Sequence, residues 1–282
     1  MSAAAVSATA FIDLPDPRGH GRSLRIEHQW LNTGAGADAP LLVFLHEGLG
    51  SVSLWRDFPA RLCAALGWRG LVYSRPGYGR STPRPADAHW APDFLHHQAR
   101  AVLPALLAAL GVDSAAQPPW LLGHSDGGSI ALLHAAAFPQ RVAGTIVLAP
   151  HILVEDVSVT SIAAAREAYL AGELRSGLAR HHDDPDSAFW GWNNVWLSPA
   201  FRTWQIGAEL ATITCPLLAV QGLDDVYGTL AQIRGLRAPV PQVQLLELAA
   251  CGHSPHRDQP EALIAAVQAF AAAAPGPHCQ SR

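Results

Sequence analysis

Residues 121–133, LLGHSDGGSIALL, join an apolar run to a helical pattern through a glycine-rich turn. Within them, GHSDG at 123–127 fits the pattern G-x-S-x-G. In so tight a strand–turn–helix, the residues two positions before and after the serine must be small, and glycine occupies both positions. The turn is predicted to lift the Ser125 hydroxyl out of a sheet to a helix N-terminus, where the helix dipole favours developing negative charge. A serine that only capped a helix would not explain both glycines.

Short apolar runs alternate with longer amphipathic segments along most of the chain. The predicted strands are residues 24–30, 41–45, 70–74, 120–123, 144–149, 217–221 and 243–248. The predicted helices between them are residues 58–66, 94–110, 125–137, 229–236 and 261–273. This alternation is typical of an α/β fold with a mostly parallel sheet and helices on both faces. In such sheets, ligand sites lie beyond the carboxyl ends of the strands.

The alternation stops between about residues 151 and 210, a segment too long for a plain loop. Its first part, 161–182, has a helical pattern, and the tryptophan-rich stretch at 189–204 is predicted to be irregular. A helical cap over the edge of the sheet is therefore expected. The predicted organisation is an N-terminal part of the core at 1–150, the cap insertion at 151–210, a C-terminal part of the core at 211–275 and a frayed tail at 276–282.

Composition argues against several classes of protein. The 282 residues are 49% hydrophobic, carry a net charge of −4 and contain no basic block, so neither nucleic acid nor a membrane is an expected partner. No apolar run reaches the length of about 18 residues that a membrane helix needs, and the N-terminus lacks the pattern of a signal peptide. The cysteines Cys63, Cys215, Cys251 and Cys279 are widely spaced, which predicts a cytoplasmic protein with free thiols.

A serine nucleophile needs a base, and the base needs a group that orients it. Two later segments follow predicted strands and carry suitable residues: GLDDVYG at 222–228 and GHSPHRDQPE at 252–261. Both are expected at the sheet edge where Ser125 emerges.

Five motifs in order resemble those of the α/β hydrolases, in the branch of esterases, lactonases and C–C hydrolases that carry a cap. They are HEGLG, SRPGYGRS, GHSDGG, GLDDVYG and GHSPHRDQPE, and they span nearly the whole chain. The resemblance implies the α/β-hydrolase fold and the chain order nucleophile, acid, base.

Carried over residue by residue, the resemblance implies that Ser125 is the nucleophile and His253 the base. The acid is implied at Asp225, three residues after the glycine that ends its strand. Asp224 and His256 remain alternatives for the acid and the base.

An oxyanion hole needs two N–H donors that point at the developing negative oxygen. One is implied at the backbone of Asp126, directly after the nucleophile. The other is implied at Gly48, with Leu49 as the alternative. Relatives commonly carry H-G-x in this loop, whereas Glu47 stands here in the place of the glycine, which leaves the register of the donor open.

Glu47 has three interpretations. It points away from the pocket and pairs with Arg75 or Arg80, or it orients His46 or His124, or it faces the pocket and favours cationic substrates. A carboxylate beside an oxyanion would oppose the chemistry, which argues against the third.

The predicted cap contains a high density of aromatic side chains. Most are expected to pack the cap onto the core, while Trp190, Trp192 and Trp196 are candidates for contact with substrate. The run His181-His182-Asp183-Asp184 is a weak metal candidate, because adjacent residues do not easily face one ion, so no metal is predicted. No dinucleotide motif precedes a helix, and no cofactor is predicted.

These features predict a serine hydrolase that cleaves a small or medium carboxylic ester, lactone or thioester through an acyl-enzyme. The expected partner is a small-molecule substrate, and the apolar cap also predicts a homodimer. Two alternatives are a C–C bond hydrolase of the same fold and a receptor-like protein that binds a ligand with little turnover.

Overall fold

An eight-stranded sheet forms the centre of the computed structural model, which describes residues 7–19 and 21–274. The spatial order is β1-β2-β4-β3-β5-β6-β7-β8. Strand β2 pairs antiparallel with both β1 and β4. The other pairs in this order, from β4–β3 to β7–β8, are parallel. In chain order the strands are β1 (Ala10–Pro15), β2 (Ser23–Leu31), β3 (Leu41–Leu45), β4 (Arg69–Tyr73), β5 (Trp120–His124), β6 (Gly144–Leu148), β7 (Leu217–Gly222) and β8 (Gln244–Leu248). The predicted α/β fold with a mostly parallel sheet is confirmed.

Helices cover both faces of this sheet. They are α1 (Phe58–Leu66), α2 (Phe94–His97), α3 (Leu103–Ala109), α4 (Asp126–Ala137), α5 (Asp156–Leu170), α6 (Glu173–Leu178), α7 (Pro185–Trp196), α8 (Ala231–Arg234), α9 (Pro255–Asp258) and α10 (Pro260–Ala273). A π-helical turn, Gln98–Val102, joins α2 to α3. The predicted tail at 276–282 and Cys279 lie outside the described residues.

Alternation along β3 divides the core between the two faces. All five residues of β3 are buried. Leu41, Val43 and Leu45 pack in the cluster that includes residues of α4, whereas Leu42 and Phe44 pack in the cluster that includes residues of α1 and α10. Burial on both faces explains why the strand is a continuous apolar run.

Strand β1 and helix α7 are among the elements that differ from the sequence prediction. Strand β1 was not predicted, because it is an edge strand in which only Leu14 is buried and the apolar signal is weak. The tryptophan-rich stretch, predicted to be irregular, is helical as far as Trp196. Helix α7 begins with Pro185, and the Asp184 side chain accepts a hydrogen bond of 2.8 Å from the Ser187 N–H, which is a standard N-cap.

Between β6 and β7 the chain leaves the sheet and forms α5, α6 and α7. We call residues 151–210 the inter-strand segment. Its last α-helix, α7, contacts the loop after β3, where the Trp192 indole lies against Gly48. Across the described part of the chain, no helix combines the length and the apolar character that a membrane crossing would need.

Candidate active site

The turn between β5 and α4 has a backbone that serine rarely adopts. Ser125 has φ 53° and ψ −119°, and its N–H donates to the Leu148 carbonyl at 2.9 Å. A side chain at Gly123 would overlap the Gly127 carbonyl, and one at Gly127 would overlap the Leu45 carbonyl. Both glycines are therefore required by close backbone approach, and the strained turn holds the serine at the carboxyl edge of the sheet.

The imidazole of His253 is held by a buried carboxylate. Nδ1 of His253 lies 2.9 Å from both carboxylate oxygens of Asp225, whose side chain is 1% exposed. The same carboxylate accepts hydrogen bonds from the Tyr227 N–H at 2.8 Å and from Gln221 Nε2 at 3.2 Å. Asp224, the alternative acid, is exposed. The structure thus brings Asp225, and not Asp224, to the imidazole.

The protonation states suit a neutral base beside a charged acid. Burial lowers the pKa of His253, although the hydrogen bond and charge of Asp225 oppose this. Burial alone would raise the pKa of Asp225, but the hydrogen bond and charge of His253 bring it below its usual value. At neutral pH, Nδ1 then donates to Asp225, and Nε2 is left as an acceptor. Among the described residues, the Ser125 hydroxyl has no hydrogen-bond partner. The hydrogen bond from Ser125 Oγ to His253 Nε2 is therefore absent in this conformation.

His256, the alternative base, lies in an aromatic wall instead. It is 3% exposed, and its ring centroid lies 4.9 Å from that of Trp55 and 4.8 Å from that of His124. Neither ring nitrogen has a hydrogen-bond partner in the described chain, and burial lowers the pKa of His256 well below its usual range. The ring is therefore uncharged and packs like an apolar side chain. His124 Nε2 lies 2.7 Å from the backbone carbonyl of His253 and so steadies the loop of the base.

The loop after β3 is fixed through one carbonyl group. The Glu47 carbonyl accepts hydrogen bonds from Arg75 Nη2 at 2.8 Å, from His46 Nδ1 at 2.7 Å and from the Gly50 N–H at 3.0 Å. In a trans peptide the N–H of the next residue points the opposite way. The Gly48 N–H therefore faces away from these donors and, like the Leu49 N–H, has no partner in the described residues.

Trp192 explains why the glycine of this loop stands at position 48. A Cβ there would overlap Nε1 and Cδ1 of the Trp192 indole. The Glu47 side chain folds back over Gly50, where a Cβ would in turn meet its carboxylate. Each glycine of the loop thus leaves room for a specific side chain.

The Glu47 carboxylate does not pair with Arg75 or Arg80, as one interpretation of the sequence had it. Its Oε2 lies 3.6 Å from His124 Nδ1 and its Oε1 lies 3.8 Å from Arg257 Nη2. Burial alone would raise the pKa of Glu47, but the histidines around it, His124 first, hold it well below its usual range. This geometry matches the interpretation in which Glu47 supports His124, and His124 in turn supports the base.

Asp126 carries a second buried carboxylate directly after Ser125. Its Oδ1 accepts a hydrogen bond of 3.1 Å from Trp196 Nε1, and its Oδ2 lies 3.8 Å from Arg75 Nη1. The side chain is 1% exposed. Burial raises the pKa of Asp126 to about 6, although Arg75 and Trp196 oppose this.

A pH-dependent cost of burying this carboxylate is expected. The stability that the protonated form contributes is fully present below the unfolded pKa of about 3.9 and is lost as the pH rises through about 6. The free energy of unfolding of the wild type should therefore fall by about 3 kcal/mol relative to Asp126→Asn across this window. Denaturant unfolding of both proteins between pH 4 and pH 8 measures this difference. The change in stability that comes from leaving Arg75 without its carboxylate is the same at each pH, so it does not affect the pH dependence.

The control for that measurement is Asp38→Asn, which removes an exposed carboxylate. A difference between wild type and Asp126→Asn that is the same at every pH would contradict the prediction.

The three candidate tryptophans have different places. Trp192 lies against Gly48, and Trp196 donates to Asp126 and packs 4.9 Å from the ring of His151. Trp190 packs on Tyr169 and Phe189 within the inter-strand segment, with ring centroids 5.5 and 5.0 Å away. The structure therefore brings Trp192 and Trp196 to the site, whereas no contact of the described residues links Trp190 to Ser125 or His253.

The members of the histidine–aspartate run at 181–184 have separate roles. His182 accepts from the Gly79 N–H at 2.8 Å and lies 2.9 Å from the Leu49 carbonyl, and His181 lies 2.9 Å from Ser53 Oγ. Asp184 caps α7. Within residues 7–19 and 21–274, no group of histidine, cysteine and acidic side chains is arranged to hold a metal ion.

Several residues of the site were not found from the sequence. Gln221 and His151 each lie at or just beyond the carboxyl end of a parallel strand, so their position was a usable signal. Tyr227 packs 4.8 Å from the ring of His253. Arg75 was considered only as a partner of the Glu47 carboxylate, and its bond to the Glu47 carbonyl has no signature in sequence.

The chain belongs to the α/β-hydrolase family, whose family model, described as "Alpha/beta hydrolase family", matches residues 42–266. This family, together with the parallel sheet and the serine turn, defines the class of protein. The predicted resemblance is confirmed.

Individual relatives carry different activities. RutD of Pseudomonas savastanoi pv. phaseolicola, a proposed carbamate hydrolase, is 30% identical over 246 residues, which cover 79% of this chain and 90% of RutD. The human monoglyceride lipase is 31% identical over 136 residues, or 47% of this chain and 41% of the lipase. The structure of VinJ superposes with a TM-score of 0.72 at 21% identity, covering 95% of this chain and 99% of VinJ. The enol-lactonase of Burkholderia xenovorans LB400 gives a TM-score of 0.66 at 20% identity, covering 88% and 97%. At these identities, the two structures are evidence for the fold alone.

Proposed function

We propose that this protein is a serine hydrolase that cleaves a small or medium carboxylic ester, lactone or thioester through an acyl-enzyme. The observation that carries the proposal is the pairing of a strained Ser125 turn with an imidazole whose Nδ1 lies 2.9 Å from the buried Asp225 carboxylate. Neither feature is needed for a binding protein, and a strained non-glycine residue has a cost that function would justify.

In the proposed mechanism, His253 Nε2 removes the hydroxyl proton of Ser125 as Oγ attacks the carbonyl carbon. The imidazolium that forms is stabilised by Asp225 and then transfers the proton to the leaving oxygen or sulfur as that bond breaks. Water, deprotonated by the same imidazole, attacks the acyl-enzyme and releases the acid. Burial that lowers the pKa of His253 keeps the free base available at neutral pH.

The negative oxygen of the tetrahedral intermediate would be held by the backbone N–H groups of Asp126 and Gly48. Arg75 is a positioning residue in this scheme, because it binds the Glu47 carbonyl on one side and faces the Asp126 carboxylate on the other. It thus connects the Glu47–Gly48 peptide group, which carries the Gly48 N–H, to the side chain of Asp126. Removal of one such donor typically costs about 3 kcal/mol of transition-state stabilisation.

We further propose that the inter-strand segment is a cap that covers the site. Trp192 and Trp196 of α7 would form the part of the cap nearest to the reacting serine, and Trp192 presents its indole at Gly48. Trp190 would have a packing role, and Glu47 would act through His124 and not by touching substrate.

A carbamate is a second candidate substrate, since RutD is a proposed carbamate hydrolase and the matched region covers 90% of its length. Ser125 would attack the carbamate carbonyl in the same way, the alcohol would leave with the proton from His253, and water would hydrolyse the resulting carbamoyl-enzyme. Cytoplasmic location remains our proposal, supported by the buried free thiols of Cys63, Cys215 and Cys251. The homodimer stays a prediction.

The proposal is tested with a fluorophosphonate probe followed by peptide mapping. We expect the probe to attach to Ser125 in the wild type and to be lost in His253→Ala, because only an activated serine reacts with it at a useful rate. A panel of p-nitrophenyl esters, lactones, thioesters and carbamates then defines the bond that is cleaved.

The matched control is His89→Ala, at an exposed histidine, which should label like the wild type. Equal labelling of Ser125 in His253→Ala, or a folded wild-type protein that does not label, would argue against the proposal and in favour of a receptor-like protein.

A further inference from the structure

A cavity lies apart from the serine. It has a volume of about 350 Å³, within the range of small-molecule sites, and its lining in the described chain includes none of Ser125, Asp225 and His253. It lies between the β1–β2 turn, the loop after β4 and the π-helical turn of Gln98–Val102. We call it the Arg84 pocket, after Arg84, which lines it together with Arg18, Arg22, Trp90, Phe94 and Gln98.

Arg84 presents an unused Nη2 group to the pocket. Its Nη1 donates to the carbonyls of Pro85, at 2.8 Å, and of Ala88. Its Nε is fully buried without a partner, so a ligand in the pocket does not reach it, whereas Nη2 is not fully buried and makes no hydrogen bond to the described residues. The backbone is anchored as well, since the Arg84 N–H donates to Ser187 Oγ at 2.7 Å. An anchored guanidinium with a free Nη2 can donate a charge-assisted hydrogen bond to a carboxylate.

Gln98 supplies a second unpaired polar group. The residue is 7% exposed and lines the pocket, yet neither atom of its amide has a hydrogen-bond partner in the described part of the chain. Its Oε1 is fully buried, whereas the Nε2 donor is not, so a ligand in the pocket could accept a hydrogen bond from Nε2. Gln98 also opens the π-helical turn, and such turns occur often at functional sites.

The apolar wall of the pocket favours an aromatic ligand. The rings of Trp90 and Phe94 stack with centroids 5.5 Å apart and an interplanar angle of 15°. Trp90 is held in place by Tyr78, 5.4 Å away, and by contacts at Gly77 and Gly191, where a Cβ would lie 3.0 and 3.2 Å from its ring. A fixed aromatic face is suited to a flat ring.

The charges around the pocket favour a single negative charge. Arg18, Arg22 and Arg84 have no carboxylate within 4.0 Å among the described residues. Asp16 and Asp87 also line the pocket, and Asp16 Oδ1 accepts from the Arg18 backbone N–H at 2.9 Å. Three arginines against two aspartates leave an excess of one positive charge.

We propose that the Arg84 pocket binds a small aryl or arylalkyl monocarboxylate, with the carboxylate accepting hydrogen bonds from Arg84 Nη2 and Gln98 Nε2, and the ring against Trp90 and Phe94. The site is separate from the serine site and does not depend on the proposed hydrolase function.

Isothermal titration calorimetry of the full chain with phenylacetate tests this site, and phenylacetamide serves as the neutral ligand of the same shape. We expect one phenylacetate per chain and at least about tenfold weaker binding of phenylacetamide, because a charge-assisted hydrogen bond is lost. Arg84→Gln should weaken phenylacetate binding by about tenfold or more, and Arg84→Lys, which keeps the positive charge, by less. Gln98→Leu provides a second variant that leaves the Arg84 anchor in place.

Two controls locate the binding. Arg100→Gln, on an exposed arginine of the same turn, and Trp192→Phe, at the candidate active site, should both bind phenylacetate like the wild type. Equal affinity for the acid and the amide, no heat of binding up to about 10 mM ligand, or a loss in Trp192→Phe without one in Arg84→Gln and Gln98→Leu would overturn the proposal.

Discussion

Replacing Ser125 with alanine is expected to lower kcat for an activated ester by at least about 10⁴-fold. Alanine removes only the hydroxyl group, which makes no hydrogen bond to the described residues, so the fold should be unaffected. The alanine Cβ takes the position of the serine Cβ, and the glycines that the turn requires, Gly123 and Gly127, are unchanged. The measurement is steady-state hydrolysis of p-nitrophenyl acetate, with thermal unfolding as the check on folding.

Ser176→Ala is the control for this experiment, because Ser176 is exposed on α6 and its hydroxyl has no hydrogen bond in the described chain. It should keep wild-type kcat. If Ser125→Ala instead retained turnover within about tenfold of the wild type, the acyl-enzyme on Ser125 would be excluded and another nucleophile would have to be sought.

Asp225→Asn is expected to lower kcat by about 10⁴-fold, whereas Asp224→Asn should change it by less than about twofold. The two residues are neighbours of the same type, yet only the Asp225 carboxylate lies 2.9 Å from His253 Nδ1. An amide at position 225 can present its NH₂ to the imidazole, which would favour the tautomer with the proton on Nε2. That tautomer cannot accept the proton of Ser125.

The pair of aspartate variants is its own matched control, since both remove one negative charge from the same loop. Rate measurements across the pH range separate loss of the base from a shift of its pKa. Comparable losses in both variants, or a larger loss in Asp224→Asn, would contradict the geometry of the loop.

The sequence predicted the sheet well because its central strands are buried on both faces and so appear as uninterrupted apolar runs. Strand β3 was predicted with its observed bounds, Leu41–Leu45. The edge strand β1 was not predicted, since one buried residue gives no pattern. Helix α7 was predicted to be irregular although Phe189, Trp192, Val195 and Trp196 are buried at helical spacing, because Trp190 lies off that face and obscures the apolar pattern.

The candidate site could be predicted only where spacing carries the information. Ser125 and His253 follow from short motifs at strand ends, and the structure places both there. The choice between Asp224 and Asp225 depends on which way two adjacent side chains point, and spacing leaves this open. The role of Arg75 depends on a hydrogen bond to a carbonyl, which any residue at position 47 would offer.

The contact between Trp192 and Gly48 sets an order on how this loop can change over evolution. Any side chain at position 48 meets the indole first, so a smaller residue at 192 must precede a substitution at 48. In the reverse order, the intermediate protein would have the new Cβ at position 48 and the Trp192 indole in the same volume. Substituting glycine for Glu47 would not change this order, because a Cβ at position 48 would still meet the Trp192 indole. The unusual register of the loop is thus a case of epistasis between two segments far apart in sequence, and directed evolution of the site should begin at the helix and not at the loop.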